Sequence, residues 1–274
     1  FVDFCNRAPF YGYAILCGDD PNVRSILEEI DSVTLTYGLA DGVALQGTDV
    51  ALCAADGAPW PGRRTRVTVV SHDDRLPATG TLGTLEINTL GLHNVRNALA
   101  ACAVGLCLGM RFGVIAEGLR HFDGVRRRLQ VCGQHDGVTV VEDYAHHPTE
   151  LATTLEAVRG AGPKRVVCVF QPHLYSRTKF FCEEFARVLA STDRAVVTAI
   201  YPSREAPMAG VDAALIVDAA RAQGAAHVEL IDAMDEVPER LAPELHAGDL
   251  VLILGAGDIN RIGTPLLAAL RGRS

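Results

Sequence analysis

Lysine is almost missing from this chain. Only Lys164 and Lys179 occur, so 23 of the 25 basic residues are arginine. Neither lysine completes a G-x-x-x-x-G-K-[ST] phosphate loop, because Pro163 precedes Lys164 and Thr178 precedes Lys179. Within these residues a nucleoside triphosphate therefore lacks the usual cradle of backbone N–H groups and lysine for its β- and γ-phosphates. An excess of positive charge is missing as well. The net charge of −8 argues against a nucleic-acid-binding surface, although a local basic pocket remains open. No apolar run reaches the roughly 18 residues that would span a bilayer. The apolar stretch Ala98 to Met110 is too short, and no signal peptide is present. No membrane partner is expected. None of the eight cysteines forms a C-x-x-C pair, which removes zinc ribbons and thioredoxin-type redox motifs. Most sit inside apolar runs such as Val166-Val167-Cys168-Val169, and read as buried free thiols in a reducing cytoplasm.

What is present is an ordinary globular composition, 49% apolar and 21% charged. The length of 274 residues favours two domains over one. The chain opens on Phe1 in mid-pattern, which reads as a fragment of a longer protein. Up to about residue 129 the pattern is mixed. Short strands are expected at Tyr13 to Cys17 and Val33 to Tyr37, with a helix from Asp20-Pro21 to about Ile30 between them. Residues 41 to 90 alternate apolar and polar between turn signals, among them Gly57-Ala58-Pro59. They read as short antiparallel strands, including Thr65 to Ser71 and Gly80 to Ile87. Helices are expected from His93 to about Leu108 and from Gly113 to His121. From residue 130 the rhythm becomes strand then helix. Strands are expected at 138–142, 165–170, 195–199, 227–231 and 250–254, with helices at 149–159, 179–190, 212–222, 234–241 and 264–271. That alternation predicts an α/β, doubly wound second domain.

The stretch Val140 to Glu150 joins a buried strand to a helix start. Pro148 suits the first helical position, with Thr149 or His147 as a cap. Between strand and helix lie Glu142, Asp143, Tyr144, His146 and His147, in what reads as a loop. In open α/β sheets the carboxyl ends of strands are where ligands bind. A solvated polar turn is the alternative reading. Three further strands end in polar loops: Gln171 to Thr178, Tyr201 to Glu205, and Gly255-Ala256-Gly257-Asp258. Four such loops on one sheet edge would line one crevice. Gly255-Ala256-Gly257 has Asn260 where a third fingerprint glycine belongs, so a tight strand-to-helix turn is the better reading. Asn94 and Asn97 sit near a helix start, where their carboxamides suit either an adenine edge or ordinary capping. Arg126-Arg127-Arg128 offers either a phosphate clamp or a solvated charge run.

Together these stretches resemble the Mur ligase family. The resemblance is carried, in order, by Pro9-Phe10-Tyr11-Gly12 with Cys17 to Pro21, Thr36-Tyr37-Gly38, Gly91 to Ala98, Glu142 to Glu150, Phe170 to His173 with Tyr175 to Thr178, and Gly255-Ala256-Gly257. It implies that residues 1–129 are the C-terminal part of the central ATP-binding domain and 130–274 the Rossmann-like C-terminal domain. It also implies an ATP- and Mg2+-dependent ligase that joins L-alanine to the lactyl carboxylate of UDP-N-acetylmuramate through an acyl phosphate, in cytoplasmic peptidoglycan precursor synthesis. The UDP-binding domain, the phosphate loop and most magnesium ligands would lie outside these residues, leaving the fragment alone inactive. Members that return a tripeptide to the same sugar share the Ala145-His146-His147-Pro148 element and are the rival. A purely nucleotide-binding module is the other. By the resemblance, Asn94 and Asn97 would contact adenine, Arg128 the phosphates, Asp143 the ribose and Tyr144 the adenosine. His146 and Arg177 would face the amino acid and the reacting carboxylate, with His147, His173 and Tyr175 behind or beside them. Three positions depart from the family pattern: Glu142 for an aspartate, Leu129 for a phenylalanine, and Leu174 where some members carry an arginine.

Overall fold

The computed structural model describes residues 1–54 and 62–272, so the turn expected at Gly57-Ala58-Pro59 lies outside the described residues. The chain divides into two compact units, Phe1–Gly124 and Val125–Ser274, which places the arginine run with the second.

The first unit runs α1 (Val2–Cys5), β1 (Ala14–Cys17), α2 (Pro21–Ile26), β2 (Thr34–Gly38), β3 (Leu45–Ala54), β4 (Arg63–Ser71), β5 (Gly80–Ile87), α3 (Leu92–Cys107) and α4 (Phe112–Arg120). Its five-stranded sheet has the order β1-β2-β3-β4-β5. β3, β4 and β5 pair antiparallel, whereas β2 meets β3 in parallel at just two residue pairs, Tyr37↔Leu45 and Gly38↔Gln46. So short an overlap needs no helical crossover. The returning loop is held by the Ala44 N–H on Thr36 Oγ1 at 3.0 Å. α3 covers the sheet with Val95, Leu99, Cys102 and Leu106, one face at helical spacing, packed on Leu35, Leu45, Val67, Val69 and Leu85. Asp20 accepts from the Asn22 and Val23 N–H groups and caps α2. Its neighbour Asp19 binds the Leu39 and Ala40 N–H groups and the Arg96 guanidinium, tying the end of β2 to α3.

The second unit runs β6 (Gln130–His135), β7 (Val138–Asp143), α5 (Pro148–Gly160), β8 (Arg165–Phe170), α6 (Tyr175–Phe180), α7 (Cys182–Ala190), β9 (Arg194–Val197), α8 (Ala214–Ala222), β10 (Val228–Leu230), α9 (Val237–Leu241), β11 (Asp249–Leu254) and α10 (Gly263–Arg271). The six-stranded sheet has the order β10-β9-β8-β11-β7-β6 and is parallel except for β6. Every residue of β7 and β11 is buried, as expected of central parallel strands covered on both faces. α5, α7 and α8 pack as one layer, while α9 packs on α10, which lies against β6 and β7. The single helix expected at 179–190 is two. α6 begins at Tyr175, and Phe181 leaves helical geometry (φ −113°, ψ 20°) before α7. At the break the Phe181 ring packs edge-on against His147 at the start of α5, a tertiary contact beside those with Phe180 and Phe185.

Candidate active site

Because β7, β8, β9 and β11 are parallel, their carboxyl ends share one edge of the sheet. Hydrogen bonding continues past the strand ends and fixes the loops on one another. The Gly255 N–H donates to the Asp143 carbonyl (3.2 Å) and the Gln171 N–H to the Leu254 carbonyl (2.9 Å). Further out, Tyr201 donates to Pro172 (2.8 Å) and Leu174 to Tyr201 (3.0 Å), around an isolated bridge between His173 and Tyr201.

Asp143 ends β7 rather than lying in the loop, and is 5% exposed. One carboxylate oxygen accepts the Leu129 N–H (2.9 Å), and the other accepts the Ala145 N–H (2.8 Å). Burial raises its carboxyl above the ordinary range, against these two bonds and the pull of Arg128. Tyr144 turns outward. Its N–H donates to the Arg127 carbonyl (2.7 Å), the Arg127 guanidinium lies 4.6 Å over its ring, and that of Arg128 lies 5.9 Å away.

Beyond Tyr144 the loop enters α5. His147 Nδ1 accepts the Thr149 N–H (3.3 Å) as the cap, and Pro148 takes the first helical position, as the sequence reading offered. Glu150 reaches back to the His146 N–H at 2.9 Å. The His146 ring places Nδ1 2.9 Å from the Tyr144 carbonyl, with the ring 5.6 Å from that of Tyr144 and 5.7 Å from that of His173. Two acceptors, the carbonyl and the Glu150 carboxylate at 3.3 Å, face Nδ1. Nδ1 therefore carries the hydrogen, and Nε2 keeps its lone pair when the ring is neutral. His173 stacks on Tyr201 at 5.7 Å, and its Nδ1 is buried without a partner. Burial, then Arg177 and His146, lower its pKa, with Glu205 opposing. Arg177 lies on the first turns of α6, with a guanidinium nitrogen 3.5 Å from the His146 carbonyl. Tyr175 is the first residue of that helix. The structure thus brings Tyr144, His146, His173 and Arg177 together above Asp143.

The sequence reading named Arg127 in the arginine run and Gln171 in a polar loop, but not the part each plays in holding this edge in shape. Arg127 donates to the carbonyls of both Gly255 (2.7 Å) and Gly257 (3.0 Å). It is directed at backbone carbonyls rather than at an anion. Gln171 spans the same turn, donating to Asp258 (3.0 Å) and accepting from the Ile259 N–H (3.2 Å). A side chain at Gly257 would meet the Gln171 amide and the Tyr201 ring, which is why the second glycine of that turn is needed. The composition of these loops was a signal, but the pairing of Arg127 with a turn some 130 residues away leaves none.

In the first unit, Asn94 and Asn97 lie near the start of α3, which is capped by Gly91 rather than by an asparagine. Asn94 Nδ2 donates to the Leu90 carbonyl (2.8 Å), and Asn97 Nδ2 donates to Asn94 Oδ1 (3.4 Å). Among the described residues, no group of three or more His, Cys, Asp or Glu side chains is placed to hold a metal ion. Among them, too, no helix is long and apolar enough to cross a membrane.

Residues 127–257 match the family described as Mur ligase, glutamate ligase domain. The chain is 43% identical over 262 residues to the UDP-N-acetylmuramate--L-alanine ligase of Salinibacter ruber, covering 95% of this chain and 52% of that protein. It is 42% identical over 271 residues to the enzyme of the same name from Desulforapulum autotrophicum, covering 98% and 56%. The chain thus spans about half the length of the curated relatives it matches. Its fold superposes on the crystal structure of the UDP-N-acetylmuramate-alanine ligase MurC from Thermotoga maritima with a TM-score of 0.73 at 22% identity, covering 95% of this chain and 52% of that one.

Proposed function

We propose, on the premise that this chain belongs to the Mur ligase family, that it is the amino-acid-accepting half of an ATP-dependent ligase joining L-alanine to UDP-N-acetylmuramate. The reading is supported by the Arg177 guanidinium at the sheet edge, one nitrogen 3.5 Å from the backbone carbonyl of His146. A planar guanidinium suits a carboxylate. Arg177 is assigned the carboxylate of the amino acid. His146, with Nδ1 committed to Tyr144 and Glu150, offers the Nε2 lone pair to the incoming ammonium and takes its proton. His173 and Tyr175 flank that position.

The chemistry requires an activated acid, since a carboxylate anion is a poor electrophile. Transfer of the γ-phosphoryl group of ATP to the lactyl carboxylate gives an acyl phosphate and ADP. The free amine attacks the acyl carbon, a tetrahedral intermediate forms, and the C–O bond breaks to release inorganic phosphate and leave the amide. In the second unit Arg128 is assigned to phosphate, Tyr144 to adenosine and Asp143 to ribose hydroxyls, through the lone pairs left by Leu129 and Ala145. In the first unit Asn94 and Asn97 are assigned an adenine edge. No phosphate loop lies in these residues, so the 274-residue chain alone is expected to turn over no ATP.

The test is product formation by the full-length gene product with ATP, magnesium, UDP-N-acetylmuramate and L-alanine. Turnover with a tripeptide acceptor and none with L-alanine would transfer the assignment to a recycling ligase. Turnover with neither would remove the ligase reading.

A further inference from the structure

The helix that carries Arg177 has no cap of its own. Its N-cap position is Leu174, which cannot accept a hydrogen bond through its side chain and sits at φ 71°, ψ 136°. A leucine at positive φ is strained, and the first N–H groups of a helix need acceptors. The missing acceptor comes from elsewhere in the chain. Glu205, in the loop after β9, accepts the Ser176 N–H at 2.9 Å through one carboxylate oxygen and the Ser176 hydroxyl through the other. The Tyr175 N–H also contributes to holding the Glu205 carboxyl below its ordinary range, after the Ser176 bonds, and Arg177 adds its charge. The same loop is anchored at its start by the reciprocal Tyr201–Pro172 and Leu174–Tyr201 bonds. Both ends of the segment Tyr201 to Glu205 therefore grip the segment Pro172 to Ser176.

We propose that Glu205 is a positioning residue: its carboxylate, by capping α6 in place of Leu174, fixes the direction in which Arg177 is presented to the carboxylate-bearing substrate. The geometry is that of a cap supplied from a distant loop of the same chain, 29 residues further along. It sets the first turn of α6, on which Arg177 follows Ser176 directly, and it places a negative charge beside the guanidinium without pairing with it. Glu205 touches no substrate in this scheme and acts through Ser176. The assignment of Arg177 to substrate rests on the ligase reading above, while the cap itself does not.

Two measurements on the full-length gene product separate the two. The first is amide hydrogen exchange in wild type and in Glu205→Ala and Glu205→Gln. The cap predicts faster exchange across Tyr175 to Thr178 in Glu205→Ala, with Glu205→Gln between it and wild type, because an amide oxygen still accepts one N–H. The second is steady-state kinetics. Glu205→Ala is expected to raise the KM for the amino acid by ~10-fold while the KM for ATP stays within about two-fold, with Glu205→Gln recovering most of the loss. Unchanged exchange in Glu205→Ala would overturn the cap. Faster exchange with an unchanged amino-acid KM, or an equal rise in both KM values, would overturn the positioning role. A wild-type protein with no ligase turnover would remove the ligase reading, and the exchange experiment would still decide the cap.

Discussion

The carboxylate of Asp143 and the backbone N–H of Leu129 are joined at 2.9 Å, linking the end of β7 to the turn that precedes β6. With Ala145 on its other oxygen, this side chain is a structural acceptor first. Asp143→Ala is expected to cost about 1–3 kcal/mol of stability by leaving backbone donors unpaired. A loop position would have left the fold unaffected. Urea unfolding checks this, and a midpoint equal to wild type would show that the bonds contribute nothing.

Glu142, one residue earlier, lies in β7 and carries a carboxyl raised by burial, with Arg127 pulling the other way. A raised folded pKa means that the native state holds the proton more tightly. Its contribution to stability is then full below the ordinary carboxylate pKa and is lost as pH rises through the folded value. Glu142→Gln removes this loss. The variant should gain on wild type as pH rises from acid to neutral, read as unfolding midpoints across that range. A constant difference between the two proteins would contradict the prediction.

Asp19 should behave in the opposite sense. Burial disfavours its charge, but Arg96 and the Ala40 and Leu39 N–H groups outweigh it and hold the carboxyl low. Its contribution is present above the ordinary carboxylate pKa and disappears as pH falls through the lowered one. Asp19→Ala is expected to destabilise the first unit by roughly 1–3 kcal/mol at neutral pH. The deficit should shrink in acid, as measured by the same unfolding series.

Gly257→Ala places a methyl group 2.5 Å from the Tyr201 ring and into the Gln171 amide. Overpacking of this kind costs about 1–3 kcal/mol. Thermal unfolding should show the loss. Relief by a second change, Gln171→Ala, would support the clash with Gln171 as its source.

For the full-length gene product, Arg177→Ala should raise the KM for L-alanine at least ~10-fold, since a charged hydrogen bond contributes roughly 1.5–3 kcal/mol. Arg177→Lys should recover little, because an ammonium cannot reproduce the planar fork. An unchanged KM in Arg177→Ala would take this residue out of substrate binding.

Much of the second unit was legible along the chain. The runs Val138 to Asp143 and Asp249 to Leu254 announce central strands because burial on both faces demands continuous apolar sequence. Pro148 after His147 marks a helix start because proline fits only where no N–H is needed. The break at Phe181 was not legible, since nothing in Lys179 to Glu184 interrupts a helix locally. The tertiary contact at that point is with His147, which is distant in sequence.

The sequence by itself determined the alternation of strands and helices, and with it the shared edge where Tyr144, His146, His173 and Arg177 emerge. Those features depend on local periodicity and on the parallel direction that strand–helix alternation imposes. Only the tertiary structure decided which polar groups around that edge are free and which are engaged. Asp143 is held by Leu129, Arg127 by Gly255 and Gly257, and Ser176 by Glu205. Each partnership satisfies a buried or terminal polar group with whatever the fold brings near it, and sequence separation places no limit on that choice.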